Sequence, residues 1–156
     1  MTSSQNAQFV AHRLISITDK EVRYFEKTLM RLKEANINLE WVKSLVEIDH
    51  NSELLDAFVS RFSRLQDTLG DKLLPTVLRL HLEPLGSQID NLLRAEKLGW
   101  IASMQSWVEL RELRNRLVHE YMETPEALLE AIHQALLTAH LLIETQIKLK
   151  SRVTEA

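Results

Sequence analysis

The sequence predicts an all-α fold, a four- to five-helix and mostly antiparallel bundle, on three observations. Gly and Pro occupy only three positions each in 156 residues, so little interrupts regular structure. Leu, Glu, Arg and Ala, all good helix formers, dominate the remainder. Apolar residues recur at steps of three and four along most of the chain, and no stretch of useful length alternates with the period of a strand. With 45% hydrophobic residues, the chain is long enough to bury one substantial core.

The elements follow in order. Residues 1–8 are rich in Ser, Gln and Asn, and residues 1–16 are expected to form a flexible tail ahead of a helical domain over 17–151. Thr18 with Glu21 has the form of a capping box. The helix it opens carries Val22, Phe25, Leu29 and Leu32 and is expected to end near Asn36. A short second helix, 39–46, is capped by Asn38, and Asn51 or Ser52 caps the third. Leu55, Phe58, Phe62, Leu65 and Leu69 form the seam of that third helix. Gly70 and Pro75 predict a bend or break, with helix resuming through His81. After the turn Pro84-Leu85-Gly86, Ser87 caps a short helix bearing Ile89, Leu92 and Leu93 that stops at Gly99. Ser103 starts the next helix. Thr124-Pro125 starts the last one, which runs to about Lys150 with Leu129, Ile132, Leu136, Ala139 and Ile143 inward. Trp41, Trp100 and Trp107 are expected in the core or an interface.

Composition removes several function classes. There is no cysteine, which excludes disulfides and thiolate sites and suits a reducing, cytoplasmic setting. No run approaches the ~18 apolar residues of a membrane span, and Met1–Gln8 lacks the form of a signal peptide. A net charge of −3 argues against broad adhesion to nucleic acid, so any such contact needs a local basic site. No phosphate-binding glycine loop or Cys/His metal spacing is present. Glu130 and His133 form one Glu-x-x-His pair, but a di-iron bundle needs a second. His133 and His140 share a face and read as surface or packing residues. No metal and no cofactor is expected.

The informative stretch is Arg114-Asn115-Arg116-Leu117-Val118-His119-Glu120-Tyr121. At about 100° per residue, Leu110, Leu113, Leu117 and Tyr121 share a core-seeking stripe. Arg114 lies on that stripe, where a leucine would have fitted. A guanidinium does not lose its proton, so on such a face it needs a partner or an anion. The neighbouring face carries Glu112, Asn115, Arg116 and His119.

This string resembles the signature of the HEPN superfamily: Arg, a polar residue, three residues, His, extended in one branch by a Tyr two positions on. It is most similar to the small bacterial HEPN toxins paired with a minimal nucleotidyltransferase antitoxin. The general resemblance covers roughly residues 20–150, with 114–121 its specific part. It implies a metal-independent endoribonuclease toxin working as a symmetric homodimer. Arg114 and His119 would then be catalytic, with Asn115 supporting them. Tyr121 would be the regulatory position, adenylylated and silenced by the nucleotidyltransferase. Related members are non-nucleolytic binding partners of nucleotidyltransferases, which stands as the alternative.

The residue types suit RNA cleavage. His titrates near the working pH and can act as base or acid, while Arg meets the charge that gathers on the phosphorane. Arg111 and Arg116 are candidates for flanking phosphates. On a straight helix Arg114 and His119 lie about 140° apart, so two copies meeting at a two-fold axis would converge them better than one helix can.

Overall fold

The computed structural model describes residues 2–119 and 124–155. These residues are all-helical apart from short connections, with no strand among them. The helices are α1 (Ser3–Glu34), α2 (Leu39–Lys43), α3 (Asp49–Asp67), α4 (Leu74–Leu80), α5 (Gln88–Lys97), α6 (Met104–His119) and α7 (Pro125–Glu155). No helix among the described residues is long and apolar enough to cross a membrane.

Of the flexible tail expected over 1–16, residues 3–16 instead form the first half of α1. Thr2, not Thr18, forms the capping box, its hydroxyl accepting from the Gln5 N–H while the Gln5 side chain returns to the Thr2 N–H. Ala7, Ala11 and Leu14 are buried and extend the stripe of Val22, Phe25, Leu29 and Leu32 toward the N-terminus. Small alanines among polar residues conceal that stripe in the sequence. Thr18 is buried in mid-helix with its hydroxyl donating to the Ile15 carbonyl, and Glu21 turns to another helix altogether. The end of α1 falls where the spacing puts it, with Asn36 in the left-handed region at φ 51°.

Asn38 caps α2 through the Trp41 N–H, and a 3₁₀ turn, Ser44–Val46, completes the short helix. Neither Asn51 nor Ser52 caps α3, which starts earlier, at Asp49. Asn51 donates to the Ser44 hydroxyl of the preceding 3₁₀ turn and Ser52 to the Asp49 carbonyl.

The interruption at Gly70 and Pro75 is a π turn, Thr68–Leu73, that joins α3 to α4 without a gap. Leu74 N–H reaches back five residues to the Leu69 carbonyl. Such a turn accommodates one extra residue and shifts the side chains beyond it. Trp107 of α6 seats on it, and a Cβ at Gly70 would stand 3.2 Å from the indole. A side chain here would press the indole back by a few tenths of an ångström, so glycine suits the close seat of α6.

Ser87 forms a capping box with Asp90 at the start of α5. At its end Gly99 adopts φ 75°, with Trp100 N–H on the Ala95 carbonyl and Gly99 N–H on that of Glu96. Those are the two bonds of a Schellman terminator. Ser103 caps α6 through the Ser106 N–H, and Thr124 caps α7 through the Ala127 N–H.

The core centres on Phe25, Phe58 and Phe62, whose ring centroids stand 5.6–6.0 Å apart. Around it α1 packs on α3, α4 and α7, while α6 packs on α3, α5 and α7. Trp100 and Trp107 are buried and Trp41 is partly buried against the core. In α7 the buried line is Leu128, Ala131, Ile132, Ala135, Ala139 and Leu142, with Leu129, Leu136 and Ile143 at its edge.

Candidate functional site

Leu110, Leu113 and Leu117 of α6 are buried, as their spacing requires. That stripe brings Arg114 against the C-terminal end of α3. Its Nη2 donates to Asp67 Oδ2 at 2.9 Å, 47 residues earlier in the chain. The pair is partly exposed, Arg114 at 32% and Asp67 at 45%, so its net worth is at most about 1 kcal/mol. Nε of Arg114 is buried without a hydrogen-bond partner among the described residues, as is Ser63 Oγ.

Arg114 stands at the wall of a cleft of 720 Å³ between α3 and α6. Its cationic residues are Arg64, Lys72 and Arg114, and its carboxylates Asp56 and Asp67. Ser60, Ser63 and Thr68 supply hydroxyls, and Leu117 with the half-exposed Val118 supplies apolar wall. Such a mix of fixed cations, hydroxyls and apolar surface suits an anionic ligand with a hydrophobic part.

The π turn sets this geometry. Thr68 opens it and lines the cleft. Its hydroxyl lies 2.9 Å from the Arg64 carbonyl and 3.1 Å from Glu21 Oε2. Having a single proton, it donates to one of the two at a time. Burial pushes the Glu21 carboxyl above the usual glutamate range. The Thr68 hydrogen bond and the charges of Arg64 and Lys72 oppose that rise, and the Asp67 charge adds to it.

The other residues singled out by the sequence disperse. His119 and Asn115 are exposed, and His119 is not among the residues lining the Arg114 cleft. Arg111 is partly buried. Arg116 turns to the opposite side of α6, where it lines a groove between α6 and α7 with Glu112 and Glu130. Tyr121 lies outside the described residues. The Glu130/His133 pair separates as well, because His133 Nε2 sits 3.0 Å from the Ile37 carbonyl while Glu130 faces the α6–α7 groove. His140 is exposed and bonds the Leu137 carbonyl of its own helix. No cluster of three or more His, Asp or Glu able to hold a metal occurs among the described residues.

Sequence reasoning missed Asp67, Arg64, Lys72 and Ser63. All lie on or just beyond α3, and nothing local ties them to Arg114. The one available signal was Gly70, whose missing side chain admits α6. The chain matches no protein family, no curated protein and no solved structure.

Proposed function

We propose that this protein is a HEPN-type, metal-independent endoribonuclease toxin of a toxin–antitoxin pair, acting in the cytoplasm as a homodimer. The observation that carries the reading is the placement of Arg114. Its guanidinium interrupts the buried stripe of α6 and stands in the wall of an open, cation-bearing cleft, five residues before an exposed histidine. The resemblance of 114–121 to the HEPN signature supplies the reaction class. The fold belonging to this reading is a mostly antiparallel helical bundle, whose described residues form seven helices rather than the four to five that the sequence predicts. Two contacts of α7 support its antiparallel run against α1: Gln146 and Lys150 meet Thr18 and Asp19 of α1, whereas His133 meets Ile37, just beyond the C-terminal end of α1.

In this reaction a base removes the proton from the ribose 2′-hydroxyl, and the oxygen attacks the adjacent phosphorus. The bond to the 5′ oxygen breaks, leaving a 2′,3′-cyclic phosphate and a 5′-hydroxyl that gains a proton. In this reading His119 acts as general base or acid, and Arg114 supplies fixed charge to the phosphorane. Asn115 supports them, and Arg111 and Arg116 serve flanking phosphates. Because Arg114 and His119 occupy different faces of α6, each composite site takes one residue from either copy. A minimal nucleotidyltransferase silences the toxin by adenylylating Tyr121, since a phosphate ester adds negative charge that competes with RNA phosphate for the arginines.

The test is incubation with total RNA in chelator. Wild type is expected to cleave it, and Arg114→Ala and His119→Ala are each expected to lose at least about 100-fold in rate with helical circular dichroism unchanged. Intact RNA with wild type, or cleavage by both variants at the wild-type rate, would sink the assignment. A second reading, a non-nucleolytic binding partner of a nucleotidyltransferase, draws on the ion pair in which Asp67 already occupies Arg114. Capture of that partner by wild type and both variants alike, without RNA cleavage, would favour it.

A further inference from the structure

Arg64 lines two clefts at once: the Arg114 cleft on one side of α3 and a smaller one of 240 Å³ between α1 and α3. The other residues of the smaller cleft are Glu21, Tyr24 and Arg61. Glu21 connects the two, because its carboxyl bonds Thr68 and feels the charges of Arg64, Lys72 and Asp67. With Arg64 in both linings, the two clefts adjoin across α3 as a candidate path from Arg114 to Tyr24. Four cations line it, Arg114, Lys72, Arg64 and Arg61, against three carboxylates, on a chain of net charge −3.

The far end of the path carries an aromatic platform. Tyr24 is 50% exposed. Arg61 donates to the Tyr24 carbonyl and to the Thr28 hydroxyl, which fixes its guanidinium 5.5 Å from the Tyr24 ring centroid. Lys27 Nζ lies 5.8 Å from the same centroid. An exposed tyrosine held among cations beside a charged groove is the arrangement that binds single-stranded nucleic acid, with phosphates on the cations and a base on the ring. Arg64 is exposed and, among the described residues, forms no ion pair.

We propose that single-stranded RNA flanking the scissile phosphate crosses α3 at Arg64 and stacks a base on Tyr24. This rests on the ribonuclease reading and extends it to the path of the substrate. A duplex keeps its bases stacked inside and has none to lay on the ring, so the path selects unpaired RNA.

The test uses the His119→Ala protein as a non-cleaving background and labelled RNAs read by fluorescence anisotropy. The probes are a 12-nucleotide single strand, chosen to span both clefts, and a 3-nucleotide one, chosen to sit in the Arg114 cleft alone. Tyr24→Ala in this background is expected to weaken the 12-mer by about tenfold, the order of one base on one aromatic side chain. It should leave the 3-mer unchanged, and Tyr24→Trp should restore the 12-mer. Arg64→Ala should lower the slope of log K against log salt by about 0.7, the value of one phosphate contact on a single strand. Unchanged 12-mer affinity in Tyr24→Ala, while Arg114→Ala weakens both RNAs, would overturn the path and spare the ribonuclease reading. Absence of binding by the background protein to either RNA at low salt would remove both. A duplex bound as tightly as the single strand would also count against the path.

Discussion

At the scale of single residues, the site is built from groups held slightly against their preference. Arg114 lies where a leucine would pack, and its Nε has no partner among the described residues. Glu21 is similar, because desolvation raises its carboxyl above the ordinary glutamate value despite help from Thr68, Arg64 and Lys72. The folded chain thus holds the Glu21 proton more tightly than the unfolded chain does. The stability this group contributes is full below the ordinary value and is lost as pH rises through the raised one. At neutral pH the ionised carboxylate is a net cost. Glu21→Gln keeps an acceptor for Thr68 and removes the charge. It is expected to stabilise the protein at pH 7 by about 0.5 kcal/mol, allowing for partial solvent access, on the order of 1–2 °C in Tm. Thermal unfolding at pH 7 and pH 4 checks this, since the advantage should shrink at pH 4, where the wild-type side chain is also protonated. An equal or larger gain at pH 4 would contradict the assignment.

At the scale of elements, what the sequence reveals depends on how local the cause is. Ser87 with Asp90 and Gly99 bracket α5 within a dozen residues, and both ends are legible because each is set by a side chain or glycine next to the backbone it serves. The N-terminal half of α1 is not legible in that way. Ala7 and Ala11 look like tail residues until a partner helix buries them. The partnership of Asp67 with Arg114 is invisible for the same reason, as it needs the register that Gly70 and Trp107 impose. One terminator breaks the local rule. Leu82 ends α4 at φ 57° and is 92% exposed, with Leu82 N–H on the Arg79 carbonyl and Glu83 N–H on that of Leu78. This is a Schellman terminator with leucine where glycine is usual. The left-handed conformation costs a leucine about 1 kcal/mol, and so exposed a side chain returns almost no burial. Leu82→Gly is therefore expected to stabilise the fold by about 0.5 kcal/mol, once the greater freedom of glycine in the unfolded chain is deducted. A lower midpoint in urea with an unchanged slope would show that the side chain contributes something its exposure hides.

At the scale of the whole molecule, the two named groups of the proposed reaction do not share a cleft within one chain. Arg114 faces α3 and Asp67, whereas His119 is exposed at the end of α6. If two copies meet at a two-fold axis, each composite site combines Arg114 of one with His119 of the other. This arrangement makes a prediction that no single-chain site shares. Arg114→Ala and His119→Ala proteins, each inactive alone, are mixed, unfolded and refolded together so that subunits exchange. About half of the dimers then carry one copy of each variant. In such a dimer one composite site has lost both groups and the other retains both. The mixture should recover about a quarter of wild-type cleavage, with light scattering reporting twice the chain mass throughout. A single-chain site would leave the mixture inactive, because every chain lacks one of the two groups. Mass at the monomer value, or a dimer whose mixed sample stays inactive, would remove the composite site from the mechanism.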